Sequence, residues 1–322
     1  NIAIDYREKA PSGAFRDLFL DKNGNYDKNK AQFSLLSAGV PGSVAGFHHA
    51  LMNYGTLSWE EVLKPAIRLA EEGFEIPHDL ANTLASKRYR ARLSSNEAAA
   101  KVFYKEDNSL YKAGEILVQN DLANTLKQLS EFGPDAFYKG EIAKLIVKEM
   151  ERNGGLITLE DLSNYQIAER KPLNGQYKDY KIVSMPPSSS GGTHLIQMLN
   201  MLEEFPIKEM GFGSAESIHI LAEVMKRAYA DRSKYLGDTD FYKVPSSLTS
   251  KDYAKSLNGF ISKDKITPSD EISAGNPFPY ESPDTTHFSV MDSFGNAVSN
   301  TYTLNFSYGS GMMIPGTGML IN

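Results

Sequence analysis

The 322 residues include no cysteine. That excludes disulfides, thiolate-held zinc or iron–sulfur centres and a cysteine nucleophile. Among the six histidines, His48, His49, His78, His194, His219 and His287, no two stand in HExxH or HxxxH spacing. No metal site and no cofactor are therefore expected. Basic residues number 34 against 40 acidic ones, a formal net charge of −6, and no basic stripe marks a nucleic-acid surface. No apolar run approaches the roughly 18 residues of a membrane span.

What is present is ordinary globular material. Hydrophobic residues make up 41% and charged residues 23%, enough apolar content to bury a core and too little charge for disorder. The chain opens on Asn1-Ile2-Ala3-Ile4-Asp5-Tyr6 and closes on Met319-Leu320-Ile321-Asn322, and both ends read as strands already under way. Residue 1 is not methionine. A fragment cut at both ends is expected, so the lack of a signal peptide carries no meaning.

Helical spacing dominates the middle. Ser43–Tyr54 reads as a helix entered through Gly39-Val40-Pro41-Gly42 and stopped by Gly55; Trp59–Glu72 reads as another, closed by Gly73. Ile142, Leu145, Ile146 and Met150 recur on one face of a helix that runs to about Arg152 and ends at Gly154-Gly155. Thr158 to Asp161 has capping-box form. Ser214–Leu236 gives the longest pattern, with Ile218, Leu221, Ala222, Met225 and Tyr229 as its expected buried stripe and His219 off it. Strands are expected over 1–6 and 179–184. Pro186–Gly192 and the proline-rich 268–283 read as loops.

The strongest strand pair is Thr285–Met291 with Ala297–Phe306, joined by the turn-rich Asp292-Ser293-Phe294-Gly295-Asn296. Thr286, Phe288 and Val290 alternate onto one face, the expected core face. Thr285, His287 and Ser289 take the other. A five-residue loop sets residue 291 across from 297 and Thr285 across from Thr303. Thr303 and Asn305 then share the polar face of the second strand. Composition alone reads that face as solvent-exposed, since threonine is a good strand former.

Several stretches together are more specific. Asp5-Tyr6-Arg7-Glu8-Lys9-Ala10-Pro11, Gly39–Gly46, Asn153–Thr158, Ser184–Pro187 with Ser189–Gly192, Tyr229-Ala230-Asp231-Arg232-Ser233, Thr285–Val290, Gly295–Val298 and Thr301–Asn305 run through nearly the whole chain. In this order they resemble the γ-glutamyltransferases (γ-glutamyltranspeptidases, glutathione hydrolases), bacterial members above all.

The resemblance implies an α/β N-terminal nucleophile hydrolase, an αββα sandwich of two stacked sheets between helical layers. It implies a precursor that cuts itself between Asp284 and Thr285. Residues 1–284 would be the large-subunit portion and 285–322 the start of the small subunit, one structural domain overall. Thr285 would be the nucleophile and Thr303 the threonine whose hydroxyl contacts it. Asn305 would bind the γ-glutamyl group and Arg7 its α-carboxylate. Implied partners are glutathione or other γ-glutamyl compounds, an amino acid or dipeptide acceptor, and the second subunit of a heterodimer cut from one precursor. Periplasmic or secreted placement follows from the family alone. The paired-glycine oxyanion hole and further substrate ligands would follow Asn322, so the 322 residues by themselves are expected to show little or no catalysis.

Beside these stand plainer readings. Arg7 reads as a surface ion pair with Asp5 or Glu8. His287 reads as structural, His219 as solvent-facing or locally satisfied. Gly39–Gly42 lacks the lysine of a phosphate loop and reads as a packing turn; Ser188–Gly192 is not a GxSxG elbow. The rival functions are a related acylase acting on poly-γ-glutamate or a cephalosporin side chain, and a catalytically inactive binding protein on the same fold.

Overall fold

The computed structural model describes residues 1–272 and 286–322. The sequence reading treats the chain as one structural domain. The structure groups it into two compact units, one of residues 6–168 and 286–322, the other of 1–5 and 169–272.

In the first unit, Gly42 opens the Ser43–Tyr54 helix and Gly55 ends it. Ser58 caps the Trp59–Glu72 helix in a full capping box with Glu61, and Trp59 Nε1 donates to the Leu129 carbonyl at 2.7 Å. The Glu141–Asn153 helix ends where Gly154 takes φ +73°, the left-handed conformation that glycine adopts without strain. Ile142, Ile146 and Met150 are buried as their spacing predicts, in a core with Leu35, Val40, Phe137, Tyr138, Ile157, Leu162 and Ile314. Thr158 and Asp161 form the expected capping box of Leu159–Ser163.

A second core holds Ile76, Leu84, Leu93, Phe103, Leu117 and Met313. Its short helices, His78–Ala85, Lys87–Ser94 and Glu97–Phe103, have no counterpart in the sequence reading. Each offers only one or two residues to the interior; Lys87–Ser94 buries Leu93 alone. Too few apolar positions remain to show a period.

In the second unit, Leu173–Tyr177 and Tyr180–Ser184 form a hairpin. Two corrections to the sequence reading fall here. Residues 190–192 are not loop: Ser189 caps a helix over Ser190–Leu202. Gly192 still serves close approach, since a Cβ there would stand 2.1 Å from the Met185 carbonyl oxygen.

The second correction concerns the Ala215–Tyr235 helix. Its ends fall as expected, with Ser214 as cap, but its buried face is Ile220, Glu223, Val224, Arg227, Ala228 and Asp231. Ile218, Leu221, Met225 and Tyr229 are exposed among the described residues. The helix turns because its acidic and basic groups satisfy one another inside. Arg227 Nη1 lies 2.7 Å from Glu223 Oε2, Lys226 Nζ 2.8 Å from Glu223 Oε1, and the Thr267 N–H donates to Oε1 at 3.1 Å. Among the described residues every sheet is two-stranded.

Candidate functional site

The site begins at the hairpin Thr286–Met291 with Ala297–Tyr302. Its loop is the expected 292–296. Asp292 Oδ1 accepts the N–H groups of Phe294 and Asn296, both at 2.9 Å, and Gly295 takes φ +83°. Met291 pairs with Ala297 and Thr286 with Tyr302, the register predicted from loop length. Asp284 and Thr285, and with them the expected Thr285–Thr303 pairing, lie outside the described residues.

The expected core face of the hairpin is a correction: Phe288 is 43%, Val290 60% and Val298 61% exposed. The hairpin stands apart from both cores, and alternation shows only that a face is apolar, not that anything covers it. The second strand also stops earlier than predicted. It ends at Tyr302; Asn305 takes φ +68°, and its N–H donates to Thr303 Oγ1 at 2.9 Å. The threonine hydroxyl closes a turn, so strand alternation does not carry to Asn305.

On the polar face His287 Nδ1 lies 2.7 Å from Thr301 Oγ1, and its Nε2 lies 3.1 Å from Ser299 Oγ and 3.3 Å from Ser289 Oγ. This cross-strand network fits the structural reading of that histidine. His219 Nε2 meets the Ser262 carbonyl at 2.8 Å, a partner 43 residues on in sequence.

Arg7 is exposed and lies between two anchored groups. The Tyr6 hydroxyl donates to Asn300 Oδ1, and the Tyr165 hydroxyl donates to the Arg7 carbonyl at 2.8 Å. Burial raises the Tyr6 pKa, against the pull of its Asn300 bond. Lys9 and Val40 exchange both backbone hydrogen bonds, at 3.2 and 2.8 Å, which ties this segment to the Gly39–Gly42 turn. That turn packs rather than cradles an anion. A Cβ on Gly42 would stand 2.0 Å from the Tyr165 hydroxyl oxygen, and one on Gly46 would stand 2.2 Å from Tyr6 Cγ.

The structure therefore joins the segment bearing Arg7 to the strand that leads into Thr303 and Asn305, through Tyr6 and Asn300. The sequence reading missed Tyr6, Tyr165 and Asn300. One signal was available: Gly42 and Gly46, four apart at a helix start, leave a groove for a large side chain.

In the second unit the Tyr229–Ser233 stretch has a structural explanation. Asp231 Oδ2 accepts from Gln197 Nε2 at 2.5 Å and from the Tyr253 hydroxyl at 2.9 Å, linking three helices. His194 is buried; burial first and the Arg232 charge second push its pKa down to about 4. No group of three or more metal-ligating side chains occurs among the described residues.

Comparison with known proteins fits this geometry. The chain shares its fold with gamma-glutamyltranspeptidase from Helicobacter pylori, at a TM-score of 0.82 and 46% identity over 88% of this chain and 81% of that one. The fold is also that of a cephalosporin acylase from Bacillus halodurans, at a TM-score of 0.81 and 23% identity over 99% of this chain and 57% of that one. It is thus an N-terminal nucleophile hydrolase fold, the α/β class the sequence reading expected. The chain belongs to the gamma-glutamyltranspeptidase family, whose pattern it matches over residues 1–322. It is 51% identical to the glutathione hydrolase proenzyme of Escherichia coli (strain K12) over 99% of its own length. It spans 55% of that relative, about half the length of the curated relatives it matches.

Proposed function

We propose that this chain is part of an enzyme that transfers a γ-glutamyl group from glutathione or a related γ-glutamyl amide to water, an amino acid or a dipeptide. The observation that carries the reading is the family match over the whole chain, joined to the hairpin register.

Processing comes first. The Thr285 hydroxyl adds to the Asp284 carbonyl carbon, the peptide C–N bond breaks, and the acyl group passes from nitrogen to oxygen. Water hydrolyses the ester. This leaves a carboxylate on Asp284 and a free α-amine and hydroxyl on Thr285. Residues 1–284 then belong to a large subunit and 285–322 to a small one. The new amine, with a reference pKa of about 7.7–8.0, supplies the base that a threonine hydroxyl lacks at neutral pH.

In turnover the Thr285 oxygen attacks the γ-carbonyl and its proton passes to the α-amine. The amine returns a proton to the departing nitrogen. The γ-glutamyl ester that remains is resolved by water or by an acceptor amine. Thr303 holds the nucleophile's oxygen and Asn305 the γ-glutamyl group. Arg7 offers two parallel N–H groups to the α-carboxylate. No helix among the described residues is long and apolar enough to cross a membrane, and the family supports action in the periplasm or outside the cell.

The test is intact mass and N-terminal sequencing of the full-length precursor after incubation near pH 8, beside Thr285→Ala. Two fragments are expected, the smaller starting Thr285-Thr286-His287, with the variant left whole. One uncut chain in both would overturn the reading. Cleavage without release of glutamate from glutathione would favour the related acylase.

A further inference from the structure

We infer that Tyr6 and Asn300 are positioning residues for Arg7: their side-chain contact sets where its guanidinium stands relative to the strand that runs into Thr303. This rests on the reading of Arg7 as the group that holds the donor's α-carboxylate. The strand that leads into Thr303 and that carboxylate anchor come from segments almost 300 residues apart in sequence. Something must fix their spacing, since a displacement near 1 Å at a reacting group costs about 100-fold in rate.

The Arg7 side chain is exposed, and the backbone that carries it is held on both sides. On one side the Tyr6 ring fills the groove left by Gly46, where even a methyl group would collide with Tyr6 Cγ at 2.2 Å. The ring lies 5.5 Å from Phe47, and Phe47 lies edge-on to Tyr302 at 6.3 Å, so the aromatic chain also ends on the hairpin strand. The Tyr6 hydroxyl then donates to Asn300 Oδ1 on that same strand. On the other side the Tyr165 hydroxyl holds the Arg7 carbonyl at 2.8 Å. The backbone at Arg7 is thus clamped before and after its Cα.

Asn300 supports the assignment independently. Its Nδ2 is buried with no hydrogen-bond partner among the described residues, a costly state for an amide. A serine or threonine, as at its neighbours Ser299 and Thr301, would avoid that cost but would not extend as far toward Tyr6. The amide is therefore kept for its acceptor oxygen, which faces the Tyr6 hydroxyl.

The experiment uses the full-length processed enzyme with Tyr6→Phe, Asn300→Ala, Arg7→Ala and the double variant Tyr6→Phe/Arg7→Ala. Donors are the γ-glutamyl anilide and the 4-aminobutyryl anilide, which lacks the α-carboxylate. Tyr6→Phe keeps the ring in its groove and removes only the hydroxyl. It is expected to raise KM for the carboxylated donor roughly threefold to tenfold, the size of one hydrogen bond, with the change falling on KM rather than kcat. Asn300→Ala should do the same, and serves if Tyr6→Phe fails to mature. Neither should move KM for the 4-aminobutyryl donor, and Tyr6→Phe should add nothing once Arg7 is alanine.

An equal loss on both donors, or an undiminished effect in the Arg7→Ala background, would make the contact merely structural and overturn the proposal. If Arg7→Ala itself leaves the preference for the carboxylated donor intact, the reading of Arg7 falls. That outcome is visible in the single variant, whatever Tyr6 does.

Discussion

Two helices show different relations between pattern and packing. Glu141–Asn153 buries the apolar row its sequence displays, Ile142, Ile146 and Met150. Ala215–Tyr235 displays an equally regular row, Ile218, Leu221, Met225 and Tyr229, and leaves it exposed among the described residues. Its inner face mixes Ile220, Val224 and Ala228 with Glu223, Arg227 and Asp231. The difference lies in spacing of charge. Glu223 and Arg227 sit one turn apart on one side, so each brings its counter-ion along when buried. An apolar period locates an interior face only where no self-neutralising polar row competes with it.

The comparison breaks most sharply at Arg227. Its Nη1 holds the Glu223 carboxylate and carbonyl, and its Nη2 reaches the Phe260 carbonyl and Thr267 Oγ1. Burial alone would raise the Glu223 pKa; the bonds from Lys226 and Arg227 outweigh it and hold the group down at about 2. Arg227→Ala leaves that carboxylate buried with Lys226 as its remaining cationic partner, at a cost of about 3 kcal/mol, the low end for a broken buried pair. Urea unfolding of the full-length protein measures it. Arg227→Met with Glu223→Gln should recover most of the loss, because the pair then carries no charge to compensate. If the single variant costs no more than an exposed substitution, the polar row is not what turns this helix inward.

The second test uses pH. His194, on the Ser190–Leu202 helix, stacks on Tyr229 of the long helix with ring centroids 6.1 Å apart, and its Nε2 is buried without a partner among the described residues. The fold therefore favours the neutral ring, with its pKa down at about 4 against the ordinary 6.5. Between those values the unfolded chain binds the extra proton and the folded chain does not, so stability rises with pH. His194's contribution is complete above pH 6.5 and drains away as pH falls toward 4. The slope approaches about 1.4 kcal/mol per pH unit from this one group. Denaturant midpoints from pH 4 to 7.5, for the natural protein and His194→Gln, should diverge below pH 6.5. Parallel curves would show that the imidazole is solvated.

Legibility followed what was local. The helix boundaries at Gly55, Gly73, Gly154 and Ser214 were readable because caps and left-handed glycines act within a few residues. The hairpin register was readable from loop length alone. What was not legible depends on partners distant in sequence. The Tyr6–Asn300 contact joins residues 294 apart, and no spacing rule reaches that far. The exposure of Phe288 and Val290 was hidden for the same reason, since alternation names a face without naming its neighbour. Arg7, Thr303 and Asn305 are candidates through resemblance alone; composition and periodicity leave them on a polar surface.

The smallest effect tests the local rule where the two helices agree. Both end where their sequence says they should, although only one buries the expected face. Ser214 Oγ accepts the Ser217 N–H at 3.1 Å and caps the long helix. Ser214→Ala should cost about 1 kcal/mol, since the N–H loses its acceptor and water recovers part of the bond. Ser214→Gly should cost only a few tenths, because glycine suits the cap position without a side-chain oxygen. That ordering, read from thermal unfolding, separates capping from packing. Were Ser214 held by tertiary contacts, glycine would cost more than alanine, and the end of this helix would prove as dependent on its surroundings as its buried face.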